Sequence, residues 1–189
     1  GLDALHQHDI VHADVNTSNV LIFEGHDGQD TTIQAKVSDF SCCQRSSGAD
    51  AAIPNPGLAS PFHRPPEWYP ATVYVCPSGD VWSFGMLLLC VIDSTGTPLS
   101  QRLFNVTEQV FSRFGEDPGP VVESAAAQVR LDDFRKQLED ERTTMRDFAV
   151  TNQTRALIDI AFGCLRIDPK ERPLMRHVAT SLKELLDCN

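Results

Sequence analysis

Apolar residues recur along this chain in two rhythms, helical and alternating, and each predicts elements. At the start, Leu2 and Leu5 sit at i, i+3 spacing within GLDALHQHD, so residues 1–9 read as the end of a helix begun further upstream. Ile10 and Val11 lead into a loop rich in Asp, Asn, Thr and Ser. Val20 to Phe23 is a short apolar strand. From Ile33, the apolar Ile33, Ala35 and Val37 alternate with Gln34, Lys36 and Ser38, as in a half-buried strand. The Asp27-Gly28 pair between the two strands is a hairpin turn signal.

Prolines at 54, 56, 61, 65, 66, 70 and 77 interrupt residues 41–80, which read as one long loop. A loop of that length inside a compact domain is usually functional. The longest apolar run, VWSFGMLLLCVI from Val81 to Ile92, follows it. It is too short for a bilayer, which needs about 20 residues, and it is apolar on all sides. It therefore predicts a helix buried on all sides. Residues 93–120 are a Gly/Pro-punctuated connection with helix expected around Gln101–Phe114. Residues 121–147 alternate in charge and read as one or two solvent-facing amphipathic helices, with Asp132 and Lys136 in acidic-first i, i+4 order. Two helices close the chain, over about 152–166 and 173–187. Leu174, Val178, Leu182 and Leu185 mark the face of the second, and Pro173 suits its first turn.

Composition narrows the function. The 189 residues include 16 Lys and Arg against 26 Asp and Glu, a formal charge of −10. An acidic chain without a basic run lacks the surface that nucleic acid demands, so nucleic acid is not expected as a partner. No signal-peptide pattern opens the chain. The cysteines at 42, 43, 76, 90, 164 and 188 form no C-x-x-C pair. They read as reduced thiols, mostly small buried hydrophobes, of an intracellular, cytoplasmic protein. His6, His8, His26, His63 and His177 read as surface or loop residues without a metal role.

The chemistry concentrates early. His12-Ala13-Asp14-Val15-Asn16-Thr17-Ser18-Asn19 has the form H-x-D-x-x-x-x-N and runs into the Val20–Phe23 strand. Asp39-Phe40-Ser41 closes the second strand. Pro65-Pro66-Glu67, Asp80-Val81-Trp82-Ser83-Phe84-Gly85, and Cys164-Leu165 with Asp168-Pro169 and Arg172-Pro173 follow in order. Together these resemble the catalytic loop, D-F-G, A-P-E, central helix and closing C-L-x-x-D-P-x-x-R-P pattern of the protein kinase superfamily. The resemblance spans residues 1 to about 187. It implies a mainly α, protein-kinase-like fold with a small β hairpin: the large, C-terminal lobe of a kinase domain.

The resemblance also implies roles. Asp14 would accept the proton of a substrate hydroxyl. Asn19 and Asp39 would hold Mg²⁺ against the phosphates of ATP, two oxygen donors that leave room for phosphate and water. Leu21 would lie under the adenine ring. His12 would pack beneath the catalytic loop, Asp80 would cap that loop's amides, and Glu67 would pair with Arg172. The implied function is an ATP- and Mg²⁺-dependent protein kinase acting on protein hydroxyls.

Departures from the pattern qualify that expectation. Ala13 stands where kinases carry an Arg that pairs with a phosphorylated activation segment. Asn16 stands where serine/threonine kinases carry a Lys on the transferred phosphate, so Asn16 offers a hydrogen bond without a charge. Ser41 replaces a Gly. No Gly-rich loop or strand Lys precedes His12, so the small lobe is expected to be absent and the fragment alone inactive. Ser60, seven residues before Glu67, stands where serine/threonine kinases carry a Thr that bonds near the catalytic Asp, which favours serine/threonine specificity. Ser46 and Ser47 are candidate phosphosites. The alternatives are a pseudokinase or kinase-like scaffold, and a small-molecule kinase on the same fold. The Pro-Pro-Glu and Arg-Pro features disfavour the second.

Overall fold

An apolar run must be enclosed, and the chain is arranged around the one at its centre. The computed structural model describes residues 1–27, 30–46, 53–54, 60–69, 72–73, 75–92, 125–149 and 151–187. The element order is α1 (Leu2–His6), β1 (Ile10–Val11), β2 (Val20–Asp27), β3 (Asp30–Val37), β4 (Gln44–Arg45), β5 (Ile53–Pro54) and β6 (Thr72–Val73). Then come α2 (Pro77–Ile92), α3 (Ala125–Phe148), α4 (Asn152–Cys164) and α5 (Met175–Asp187). The fold is that of a mainly helical lobe with small antiparallel sheets, as expected.

The central helix α2 starts at Pro77, four residues before the first residue of its apolar run. Proline lacks the N–H that a first turn would leave unpaired, so it opens a helix without loss. Val81, Trp82, Met86 and Leu89 are all but fully buried, and only the last turn emerges, with Val91 64% exposed. Thr151 caps α4 by accepting from the Thr154 amide at 3.0 Å. The contact between α2 and α4 is close enough to demand a glycine. A Cβ on Gly85 would stand 2.8 Å from the Cys164 Cβ and 3.0 Å from the Ala161 carbonyl oxygen.

From Ala125, where its described part begins, the charged segment expected over 121–147 is a single helix, α3, and one stripe of it faces inward. Phe134 and Leu138 are buried, with the Phe134 ring stacked 6.4 Å from that of Trp82. Asp159 of α4 accepts from both Arg142 and Arg146, each at 2.8 Å, which fastens the outer flank. Around α2 the core includes Ile158, Ala161, Phe162 and Leu165 on one side. On another, Leu2, Val15, Cys164, Met175 and Val178 close over Val81 and Leu87.

The hairpin is longer than the alternation predicted. Strands β2 and β3 are eight residues each and pair antiparallel from Val20 opposite Val37 to Asp27 opposite Asp30. The stretch expected as one long loop is partly structured. β4 pairs with β1, β5 pairs with β6, and Pro61–His63 and Pro66–Trp68 form single 3₁₀ turns. The helix expected around Gln101–Phe114 lies outside the described residues, as do Gly28, Ser47 and Cys188. Among the described residues no helix is long and apolar enough to cross a membrane.

Candidate active site

Three local devices hold the loop between β1 and β2. The first is a buried carboxylate beneath it. Asp80, on the first turns of α2, accepts from the His12 amide at 2.7 Å and the Ala13 amide at 2.9 Å. His6 Nε2 donates to the same carboxylate at 2.9 Å. Ala13 sits at φ 64, a left-handed conformation that costs most residues energy, and these bonds help to hold it there. Its methyl is fully buried beside Val11, Trp68, Val73 and Val75.

The second device is the His12 ring. Its Nε2 donates to the Ser38 carbonyl at 3.0 Å and its Nδ1 accepts from the Asp14 amide at 3.3 Å. This ties the loop to the end of β3. The third is Asn16, which caps the turn Thr17–Asn19. Its Oδ1 accepts from the Ser18 amide at 2.9 Å and the Asn19 amide at 3.2 Å. Its Nδ2 donates to the Asp14 carbonyl at 3.2 Å and to Ser60 Oγ at 3.3 Å. Both amide hydrogens are thus engaged with neighbours.

Asp14 is gripped at both carboxylate oxygens. Ser60 donates to Oδ1 through its amide at 2.8 Å and its hydroxyl at 3.3 Å. Asn19 Nδ2 donates to Oδ2 at 2.9 Å and to the Asp14 carbonyl at 2.9 Å. No described residue donates to the Asn19 amide oxygen. The hairpin register sets Asp39 alongside, because the Ser38 amide donates to the Asn19 carbonyl at 2.9 Å.

Asp39 is at φ 57 and exposed. The Ser41 hydroxyl at 2.6 Å and the Ser41 amide at 3.2 Å both donate to its Oδ1. These two bonds hold its carboxyl below the usual range, so it stays ionised. The Asn19 and Asp39 oxygens are the donor set that Mg²⁺ takes when phosphates and water complete its shell, so the residues fit that ion. Among the described residues, no cluster of three or more His, Cys, Asp or Glu makes a protein-only metal cage.

Leu21 is 48% exposed on the face of β2 that it shares with Phe23. Lys36, opposite Leu21 on β3, lays its ammonium 4.6 Å over the Phe23 ring. Leu21 and Phe23 therefore continue from Asn19 as exposed apolar side chains on a face they share with Lys36.

The segment that brings Ser60 to Asp14 is anchored further on. Arg172 forms a two-pronged pair with Glu67, with Nη2 to Oε2 at 2.8 Å. It also donates to the carbonyls of Arg166, Ser78 and Ile167, and its guanidinium lies 5.0 Å from the Trp82 ring centre. A family model described as "Protein kinase domain" matches residues 1–182. The chain belongs to the protein kinase family.

The kinase chain resembles "Serine/threonine-protein kinase BRI1-like 2" of Arabidopsis thaliana at 29% identity over 179 residues, 93% of this chain and 15% of that protein. It resembles "Leucine-rich repeat receptor-like tyrosine-protein kinase PXC3" of the same plant at 30% identity over 185 residues, 98% of this chain and 18% of that protein. It resembles a "Probable inactive receptor kinase", also from that plant, at 28% identity over 187 residues, 98% of this chain and 25% of that protein. The kinase chain thus spans a quarter or less of the length of these three relatives.

Two histidines of the kinase chain are not the surface residues that the sequence suggests. His6 is bound to Asp80, and its side chain is only 9% exposed. His63 is 6% exposed, and its ring nitrogens have no hydrogen-bond partner among the described residues. Burial pushes its pKa down to about 4, and nearby Asp14 only partly opposes this. The signal for His63 was faint: an aromatic neighbour, Phe62, in a proline-framed turn. Its burial comes from α2, where Ser83 Oγ donates to the His63 carbonyl at 2.8 Å.

Proposed function

We propose that this chain is the catalytic lobe of a protein kinase that transfers the terminal phosphoryl group of ATP to serine or threonine hydroxyls of a protein. The observation that carries the reading is the double grip on Asp14, by Ser60 on one carboxylate oxygen and by Asn19 on the other.

A carboxylate so held has its rotamer fixed before a substrate arrives. Asp14 then accepts the proton of the incoming hydroxyl, and holding that hydroxyl in line is most of what phosphoryl transfer asks of protein. Asn19, through its amide oxygen, and Asp39 hold Mg²⁺, which supplies charge neutralisation for the phosphates. Leu21 and Phe23 offer an apolar seat to the nucleotide base. Ser60 stands at the mouth of the site with its hydroxyl on Asp14, which supports an aliphatic hydroxyl as acceptor.

Asn16 favours a second reading, a kinase-like binding module with weak transfer. Its side chain carries no charge and is spent on capping and on Ser60, so the transferred phosphate meets no cation there. The two readings differ in a radiolabel assay. The full-length protein, with Mg²⁺ and ATP, is expected to phosphorylate protein substrates, and Asp14→Ala and Asp39→Ala are each expected to abolish the signal. Equal signal from all three would contradict both the site and the activity. No signal from any, with nucleotide still bound, would select the binding module.

A further inference from the structure

We infer that Ser41 is a positioning residue for the metal ligand Asp39: its hydroxyl fixes the carboxylate so that Oδ2 alone is presented to the ion. The inference rests on the reading of Asn19 and Asp39 as the metal site.

Asp39 stands in the open, where an aspartate side chain would ordinarily sample several rotamers. Its backbone is left-handed at φ 57, which aspartate tolerates better than most residues. From there Oδ1 receives two donors of one residue, the Ser41 hydroxyl at 2.6 Å and the Ser41 amide at 3.2 Å. The first distance is that of a charge-assisted O–H···O⁻ bond. No described residue donates to Oδ2. The two bonds therefore divide the carboxylate: Oδ1 is occupied by protein, and Oδ2 is left for a cation in a single orientation. Glycine at position 41 would keep the amide bond and lose the stronger one.

Outer contacts that orient a ligand typically change metal affinity 10- to 100-fold when removed. The test uses Mn²⁺ alone, with the ¹⁵N-labelled protein, and follows paramagnetic broadening of the amide signals around Asn19 and Asp39. Ser41→Ala keeps the amide donor and is expected to weaken Mn²⁺ binding at these positions about 10-fold. Ser41→Thr restores the hydroxyl and is expected to return affinity to within about twofold of the parent. Asp39→Asn is expected to abolish the local broadening. Broadening that persists in Asp39→Asn would overturn the metal site and this inference with it. Loss of broadening in Asp39→Asn with unchanged or tighter binding in Ser41→Ala would overturn the role of Ser41 alone. So would failure of Ser41→Thr to restore binding.

Discussion

Ser60 and Asp14, 46 positions apart, share one oxygen: both the amide and the hydroxyl of Ser60 donate to Asp14 Oδ1. Ser60→Ala removes the longer of the two bonds and keeps the other. A hydrogen bond to a charged group is worth about 1.5–3 kcal/mol, and a 3.3 Å bond belongs at the bottom of that range. Phosphoryl transfer by the full-length protein is therefore expected to fall roughly tenfold in kcat. Ser60→Thr is expected to recover most of it. Steady-state kinetics on a fixed protein substrate would check this.

Buried His63 makes stability depend on pH. Its folded pKa of about 4 lies below the ordinary 6.5, so the fold favours the neutral ring. The unfolded chain then binds more protons between those values, and stability falls as pH drops from about 6.5 toward about 4. At pH 5 the loss attributable to His63 reaches up to about 2 kcal/mol, from roughly 1.5 pH units at 1.36 kcal/mol each. His63→Phe is expected to remove that share. Urea midpoints of both proteins at pH 7.5 and pH 5 would measure it as a difference of differences.

Gly85 lets α2 and α4 touch. Alanine there would gain helix propensity of about 1 kcal/mol but would drive a methyl into Cys164 and the Ala161 carbonyl. Overpacking of this kind costs about 1–3 kcal/mol, and the neighbour on one side is unyielding backbone. Gly85→Ala is expected to lower the denaturation midpoint with a net loss of about 1–2 kcal/mol. A midpoint at or above the parent's would show that the two helices can part at little expense.

Glu67 neutralises a fully buried guanidinium. Glu67→Gln leaves Arg172 with its three carbonyl partners but no counter-charge. Removing one partner of a buried pair costs about 3–5 kcal/mol, and the residual carbonyls and the partial exposure of Glu67 place this case near 3. Arg172→Lys is not expected to substitute, because an ammonium cannot reproduce the two-pronged geometry. Thermal unfolding of both variants would check this.

Local pattern made part of this molecule legible and left part hidden. The apolar run at 81–92 identified α2, because an unbroken run records burial on every side. The alternation at 33–38 identified β3 as a strand but not its burial: Ile33 is 71% exposed and Ala35 is exposed too, so the half-buried face expected of it is open. The His12, Asp14, Asn19 and Asp39 motifs could be read because their spacing is short and ordered. Their convergence comes from the Val20–Val37 register; the Asp27-Gly28 turn signal pointed to a hairpin but not to this register, in which Asp27 is still paired, opposite Asp30. The start of α2 was hidden because Ser78, Gly79 and Asp80 break the apolar run, although Pro77 opens the helix. The fates of His6 and His63 depend on partners on α2, Asp80 at 74 positions and Ser83 at 20, and no local pattern carries that. The several bonds of Asn16 were likewise invisible, since an Asn in a loop looks the same whether it caps a turn or faces a phosphate.

The central claim is that Asp14 serves transfer to serine or threonine. The most direct measurement is phosphoamino-acid analysis of a protein substrate labelled by the full-length protein with Mg²⁺ and γ-labelled ATP, beside Asp14→Asn. Phosphoserine or phosphothreonine from the parent and none from Asp14→Asn is the expected result. Phosphotyrosine as the main product, or the same label from Asp14→Asn, would contradict the account.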